Sequence, residues 1–391
     1  MPMLGFYGIT KDPKTKEFIM IVQFANMGNL RSILLNNKIL WKDKIYLLVD
    51  LIEYLKRLHK LGHCHKNLHS NNILLLEARY VLDLSELANK QKSDDKIYGT
   101  LPSIAPEILS GEPFSFASDI YSFGIIMAEL SFRNPHFYDK KDDLNLSIDI
   151  WNGHKPEFGK GTPKFYKKLA YRCVNDNPNQ RPTANELSDI LYFWWHSVKF
   201  YKSYENVKKY GYYGKEIKKA FDKADKKIPI FANQEHLMEY KSQLISTSSK
   251  PINCKNCSYC NKLLIDVLWC DNCGPYCIIE GWTSENPDID EFIKDTIYHT
   301  RNQIYPDFLE WVPFDKFTNI KQIGEGGFAK VYAAIWTDGK SKFEKQKNGS
   351  WKKLDSKPMK VALKRLIGSQ NMSAERLNEV YIKCIKFLYD Y

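Results

Sequence analysis

The sequence predicts an α+β fold in which a mainly helical first half is followed by a β-rich last quarter. Apolar side chains at Leu48, Leu51, Ile52, Leu55 and Leu58 recur at the spacing of an amphipathic helix. A short apolar, β-rich run occupies residues 17–23, and strand-like runs flank a glycine-rich stretch near the other end of the chain. A cysteine-rich segment separates the helical half from the β-rich part.

The composition is typical of a folded chain. Of 391 residues, 43% are hydrophobic and 14% are aromatic, which excludes a disordered protein and allows two or three domains. The chain contains no run of about 18 uncharged apolar residues, and its first residues do not resemble a signal peptide. We therefore expect no membrane partner and a cytoplasmic location.

The net charge is +11, and much of the excess lies in one stretch. Its lysines are Lys199, Lys202, Lys208, Lys209, Lys215, Lys218, Lys219, Lys223, Lys226 and Lys227. Such a stretch could contact nucleic acid or an acidic membrane surface, but a solvated linker and helix face accounts for it as well. We interpret residues 197–250 as a basic linker and expect no nucleic-acid partner.

Six of the nine cysteines lie within residues 254–277. Two paired motifs are separated by nine residues, and their cysteines are Cys257, Cys260, Cys270 and Cys273. Four thiolates at such spacing suit a tetrahedral, structural zinc ion, so residues 251–280 are predicted to form a zinc-knuckle-like module. A vestigial site and clustered free thiols stay open as alternatives, and Cys254 could replace Cys257.

The first half carries a series of short motifs. The run His63–Leu74 reads HCHKNLHSNNIL and resembles the catalytic loop H-R-D-L-x-x-x-N of protein kinases. It is followed by Tyr80–Ser85, which resembles the D-F-G strand, and by Ala105–Glu107, which matches A-P-E. Asp119–Gly124 and Arg181–Thr183 resemble the start of the long central helix and a late arginine of that family.

Five such motifs in family order are specific, although each alone is weak. Residues 1–196 are therefore similar to the helical C-lobe of a protein kinase, together with the hinge and two N-lobe strands. The Leu-His-Ser form of the loop most resembles the tyrosine-kinase-like group of serine/threonine kinases. The resemblance implies a buried ion pair between Glu107 and Arg181.

The end of the chain resembles the kinase N-lobe. Ile323–Tyr332 reads IGEGGFAKVY and resembles the glycine-rich loop, and Val361–Lys364 resembles the V-A-I-K strand. Glu379 then lies in a helical segment, where the family places the glutamate that pairs with the lysine. We therefore expect an N-lobe over residues 317–391, preceded by a helical connector over residues 281–316.

These resemblances imply ATP and Mg²⁺ as cofactors. Glycines allow backbone N–H groups to approach phosphates closely, while Lys364 would hold the α- and β-phosphates and Glu379 would hold the lysine. Asn72 and Asp83 occupy the positions of the Mg²⁺ ligands. The implied ATP-binding residues are Gly324, Gly326, Val331, Ala362, Lys364, Gln23 and Ala25.

The order of the two lobes is inverted relative to the family. Either one domain is assembled from halves that meet out of sequence, or the chain is a fragment of a tandem kinase array. An N-lobe that ends at the Glu379 helix would leave an exposed sheet edge, which favours aggregation or self-association. We therefore predict that residues 17–23, from the same chain or from another copy, pair with residues 359–365.

Two substitutions bear on catalysis. Asn67 replaces the aspartate that accepts the substrate proton, and an amide cannot act as that base. Ser85 replaces the glycine of D-F-G. The resemblance implies phosphoryl transfer from ATP to serine or threonine of a protein substrate, impaired by Asn67; the alternative is a pseudokinase that binds a signalling partner. Ser93, Tyr98 and Thr100 are candidate phosphorylation sites or ordinary exposed loop residues.

Overall fold

The computed structural model describes residues 5–36, 39–76, 79–82, 103–131, 155–228, 282–300, 308–325, 329–345, 351–354 and 356–370. They belong to two compact units. The helical unit contains the described residues between 25 and 228. The sheet unit contains residues 5–24 together with the described residues between 282 and 370. The predicted α+β class is confirmed.

The strands are β1 Phe6–Lys11, β2 Phe18–Gln23, β3 Ile73–Leu76, β4 Arg79–Leu82, β5 Lys208–Lys209, β6 Tyr212–Tyr213, β7 Glu310–Trp311, β8 Phe317–Glu325, β9 Ala329–Trp336, β10 Lys342–Lys345, β11 Trp351–Leu354 and β12 Met359–Leu366. The helices are α1 Leu30–Asn36, α2 Trp41–Lys60, α3 Pro106–Leu109, α4 Phe116–Ser131, α5 Lys164–Cys173, α6 Ala184–Lys199, α7 Tyr201–Tyr204, α8 Gly214–Asp225 and α9 Pro287–Thr300.

Helix α2 is the amphipathic helix that the leucine spacing predicts. Its apolar positions are buried, with Leu48, Leu55 and Leu58 fully enclosed. The helix ends at Lys60, and Gly62 follows with a φ of +80°, a left-handed conformation that glycine adopts without strain. The chain then enters the catalytic-loop motif directly, so a rigid buried helix delivers that loop.

The start of the predicted basic linker is folded. Helix α8 buries Ile217, Phe221 and Ala224. The ring of Phe221 lies 5.4 Å from that of Trp41, and the backbone N–H of Trp41 donates a 2.8 Å hydrogen bond to Asp225. Residues 201–225, at the start of the predicted basic linker, therefore form part of the helical unit.

The sheet unit is built on a six-stranded sheet with the order β7-β1-β2-β12-β9-β8. All of its neighbouring strands are antiparallel except β7 and β1, which are parallel. Strand β2 pairs with β12 in a register that places Gln23 opposite Val361 and Ile19 opposite Arg365. The predicted pairing of residues 17–23 with residues 359–365 is therefore confirmed, within one chain.

One face of this sheet carries an apolar core. Ile19 and Ile21 of β2 pack in one cluster with Val361 and Leu363 of β12 and with Trp336 of β9. Because strand side chains alternate between the two faces, Ala362 and Lys364 lie on the face opposite this core. Strand β12 is interior, and β7 and β8 form the edges.

The predicted helical connector contains α9 and also contributes the short edge strand β7. The rings of Trp282 and Trp311 stack at 6.0 Å, and Trp311 lies edge-on to Phe18 at 6.4 Å. The connector is thereby packed against the β1–β2 side of the sheet.

Candidate functional site

The catalytic-loop motif is held in place by one buried carboxylate. Asp119, in the first turn of α4, is 1% exposed and accepts hydrogen bonds from the backbone N–H groups of His65 (2.7 Å) and Lys66 (2.8 Å). The ring Nε2 of His59 lies 2.9 Å from the same carboxylate. Lys66 has a φ of +66°, an uncommon conformation for a lysine, which these bonds help to maintain.

Asn67 and Asn72 lie within this one loop. The side-chain amide of Asn72 donates a 2.8 Å hydrogen bond to the backbone carbonyl of Asn67. Asn72 is buried, whereas Asn67 is partly exposed. Mg²⁺ prefers oxygen ligands, and the side-chain amide oxygen of Asn72 is a ligand of this type, so the residue fits the role of a metal ligand. Asp83 lies outside the described residues.

The loop leads directly into β3, which is tied to the chain that follows β2. The backbone N–H of Leu75 donates to the carbonyl of Gly28 at 2.9 Å, and the N–H of Met27 donates to the carbonyl of Leu75 at 3.3 Å. Ala25 belongs to the same helical unit as this loop, whereas Gln23 is the last residue of β2 in the sheet unit.

The predicted ion pair between Glu107 and Arg181 is confirmed. The guanidinium nitrogens lie 2.6 and 2.7 Å from the two carboxylate oxygens, in a bidentate arrangement. The arginine side chain is 0% exposed and the glutamate side chain is 14% exposed. Arg181 also lies 5.1 Å from the ring centre of Tyr121. Burial raises the pKa of the Tyr121 hydroxyl, so a neutral ring faces the cation.

The sheet unit brings together several residues that the sequence predicts for nucleotide binding. Lys364 on β12 is 4% exposed and is opposite Met20 on one side and Val331 on the other. Val331 is in turn opposite Gly324, so the lysine and the first glycine of the loop motif share one row across three strands.

Gly324 has no close neighbour among the described residues of the facing strands. A Cβ added there would lie 4.0 Å from the Cβ of Val331, the nearest such atom, so the glycine does not relieve a clash with the described strands. Ala362 is opposite Val22 and Ala333, and Gln23 is opposite Val361. A buried lysine beside an accessible glycine fits the binding of a phosphate group.

Several predicted residues lie outside the described part of the chain. They are Gly326, Asp83, Glu379, the cysteines Cys254, Cys257, Cys260, Cys270, Cys273 and Cys277, and the activation-segment residues Ser85, Ser93, Tyr98 and Thr100. Among the residues that the structure does describe, no group of three or more His, Cys, Asp or Glu side chains could hold a metal ion.

Sequence reasoning missed the anchoring role of Asp119. The residue was singled out only as the start of a helix, and its contact with the catalytic loop joins positions 53 and 54 residues apart. A local motif carries no information about such a pairing. The signal that could have found it is an aspartate in the first turn of a mainly apolar, largely buried helix.

Comparison with known proteins finds a family match for the first half of the chain. Residues 3–193 match the family model of the protein kinase domain. The match ends before strands β8–β12, so the N-lobe resemblance of residues 317–391 lies outside it. A protein kinase domain implies the use of ATP and Mg²⁺.

Curated relatives agree with this match. A probable LIM domain-containing serine/threonine-protein kinase of Dictyostelium discoideum is 28% identical over 192 residues, which is 48% of this chain and 20% of the relative. The dual specificity protein kinase zakA of the same organism is 29% identical over 190 residues, 43% of this chain and 24% of the relative. The dual specificity testis-specific protein kinase 2 of Rattus norvegicus is 26% identical over 185 residues, 44% and 32% of the two chains.

The chain thus spans less than a third of the length of these three relatives. In the described residues, no helix is long and apolar enough to cross a bilayer. The family match and the serine/threonine kinase relatives together support the assignment of residues 3–193 to the protein kinase superfamily.

Proposed function

We propose that this chain is a permuted protein kinase of the tyrosine-kinase-like serine/threonine group, which binds Mg²⁺-ATP and transfers phosphate slowly to protein hydroxyls. The observation that carries the proposal is the pairing of β2 with β12. It incorporates the strand bearing Lys364 into one sheet with residues that lie at the start of the family match. In-chain pairing favours a permuted domain over a fragment of a tandem array.

The proposed roles follow the chemistry of each residue. Lys364 would hold the α- and β-phosphates, and Gly324 and Gly326 would allow backbone N–H groups to approach them. Asn72 and Asp83 would hold Mg²⁺, which neutralises charge that develops on the transferred group. Glu379 would orient Lys364, while Gln23, Ala25, Val331 and Ala362 would surround the nucleotide.

Slow transfer follows from Asn67. General-base assistance is worth typically about 10²–10⁴-fold in rate, and an asparagine cannot supply it. Phosphoryl transfer depends mainly on positioning and charge, so the loss slows the reaction without abolishing binding. If transfer is absent altogether, the same fold acts as a pseudokinase that binds a protein signalling partner.

Three further features belong to this proposal. Cys257, Cys260, Cys270 and Cys273 would hold a structural zinc ion in the cysteine-rich module. Self-association would use β8, an edge strand that exposes Ile320 and Ile323. The predicted cytoplasmic location accords with free thiols and an intracellular nucleotide.

Binding and transfer are tested separately. Mg²⁺-ATP is expected to raise the melting temperature of the wild-type chain and not that of Lys364→Met. Phosphate transfer to a generic protein substrate is then measured for wild type and Asn67→Asp. The restored carboxylate should increase the rate by at least tenfold. Stabilisation by ATP without transfer in either protein would leave the pseudokinase role, and no stabilisation by ATP would refute nucleotide binding.

A further inference from the structure

The lysine-rich stretch forms a folded basic surface that the proposed phosphoryl transfer does not use. Residues 199–228 contain ten lysines, four acidic residues and no arginine. Most of these lysines are exposed. Seven of the ten are carried by α7, by the β5–β6 hairpin and by α8, while Lys199 ends α6 and Lys226 and Lys227 follow α8. All of these elements belong to the helical unit.

Helix α8 fixes the direction in which its lysines point. Its apolar stripe packs against aromatic rings, since Phe221 lies 5.3 Å from Phe165 and 5.4 Å from Trp41. The stripe is therefore unavailable for insertion into a bilayer. The opposite face carries Lys215, Lys219 and Lys223, which are all exposed.

The exposed face of α8 borders a groove of about 770 Å³. The groove is lined by five lysines and one aromatic residue, namely Tyr201, Lys215, Lys218, Lys219, Lys223 and Lys226. Tyr201 comes from α7, so two elements form the walls. A concave surface of this kind fits an extended chain better than it fits a flat membrane.

Two carboxylates also line the groove, but both are already paired. Glu216 accepts a 2.7 Å hydrogen bond from the backbone N–H of Tyr213, and Asp222 accepts a 2.8 Å bond from Lys218. Lys219 and Lys223 form no ion pair with any residue that the structure describes. The groove therefore retains a net positive charge with at least two ammonium groups available to a ligand.

We propose that this groove binds an acidic peptide segment of a protein partner. Its carboxylates would pair with Lys219, Lys223 and Lys226, and an apolar side chain would lie against Tyr201. Single-stranded nucleic acid is held by stacking of successive bases on aromatic side chains, and the groove lining has one aromatic ring, that of Tyr201. The carboxylates of a peptide complement the positive charge of the groove, and a peptide, unlike a bilayer, can follow its concave shape. The proposal is independent of ATP binding.

The test uses the full chain and a fluorescein-labelled peptide of eight glutamates, with binding measured by fluorescence anisotropy. Lys219→Glu/Lys223→Glu is expected to weaken binding roughly tenfold, because each reversal replaces an attraction by a repulsion. Lys164→Glu/Lys168→Glu makes the same charge change at the same spacing on α5, where both lysines line a separate basic pocket, and so tests whether binding is specific to the α8 groove. It is expected to weaken binding less than about twofold.

A second double variant distinguishes the loss of binding contacts from a loss of folding. Lys219→Ala/Lys223→Ala should give an intermediate loss, roughly threefold, with an unchanged melting temperature. Single-stranded oligouridylate and phosphatidylcholine vesicles with phosphatidylserine are measured in parallel. Equal losses in the test and control variants, undetectable peptide binding, or tighter groove-dependent binding of the RNA or the vesicles would overturn the assignment.

Discussion

Arg365 of β12 lies 3.3 Å from the carboxylate of Asp12, which follows β1, although the two residues are 353 positions apart in the chain. The same guanidinium lies 3.4 Å from Glu17, just before β2. Burial alone would raise the pKa of Asp12, but hydrogen bonds from the N–H groups of Lys14 and Thr15 and from Arg365 lower it overall. The interactions in the folded sheet therefore favour the charged form of Asp12.

Arg365→Met tests this long-range tie. The change leaves two mostly buried carboxylates without their shared cation, so we expect the sheet unit to lose about 3 kcal/mol of stability. Urea unfolding, monitored by hydrogen exchange of the backbone amides in β2 and β12, measures this loss of stability. Lys321→Met, on the exposed edge strand β8, is the control and should cost less than about 0.5 kcal/mol. Equal effects of the two variants would contradict the argument.

Ile21→Ala tests whether β2 belongs to the core of the C-terminal strands. Ile21 is fully buried and packs in the same cluster as Leu363 and Trp336. Truncation should cost about 2–5 kcal/mol and should accelerate hydrogen exchange in β9 and β12. Met27→Ala, at an exposed position beyond β2, should leave exchange in those strands unchanged. Exchange in β9 and β12 that does not respond to Ile21→Ala would contradict the observed sheet.

Glu107→Gln tests the buried ion pair of the helical unit. The substitution leaves the fully buried guanidinium of Arg181 without its counter-charge, so the expected loss of stability is about 3–5 kcal/mol. Glu186→Gln removes the partner of Arg172 in a pair whose side chains are both about 40% exposed, and should cost under about 1 kcal/mol. Thermal unfolding compares the two. A small effect at Glu107 would show that solvent reaches the pair.

Lys44 gives the helical unit a characteristic dependence on pH. Burial lowers its pKa from 10.5 to about 8, and the charge of Asp225 acts in the opposite direction. Between about pH 8 and pH 10.5 the unfolded chain therefore binds more protons at this position than the folded chain, and the free energy of unfolding rises with pH. Below about pH 8 the contribution of Lys44 is constant.

Lys44→Met removes this titration. The difference in unfolding free energy between wild type and variant should increase in favour of wild type by on the order of 3 kcal/mol from pH 8 to pH 10.5. Chemical unfolding at several pH values in this range measures it. Lys42→Met, at an exposed position two residues away, should give a difference that does not vary with pH. If the unfolding free energies of wild type and Lys44→Met change in parallel with pH, the pKa of Lys44 is not lowered in the folded protein.

Local patterns predicted the elements that depend on local physics. Leucine spacing was sufficient for α2, and the β-rich run was sufficient for β2. The pairing of β2 with β12 was predictable because an incomplete sheet requires another strand. The ion pair of Glu107 with Arg181 came from the family resemblance, since no local pattern joins residues 74 positions apart.

The sequence did not reveal features that depend on tertiary packing. The buried stripe of helix α8 was not predicted, because it consists of only three or four apolar residues among many lysines. The short strand β7 has only two residues, too few for any periodic signal. The hydrogen bonds of Asp119 with His65 and Lys66 join residues that are far apart in the sequence, so they could be recognised only in the folded structure.

The sheet joins β2, which ends at Gln23, with β12, which begins at Met359 and is therefore synthesised much later. At a synthesis rate of roughly 5–20 residues per second, β1 and β2 remain unpaired with β12 for on the order of tens of seconds. During translation Ile19 and Ile21 lack their final neighbours, while the helices between residues 30 and 225 can already fold. Nascent chains of this protein should therefore depend on chaperones for longer than those of a protein whose sheet strands are contiguous in sequence.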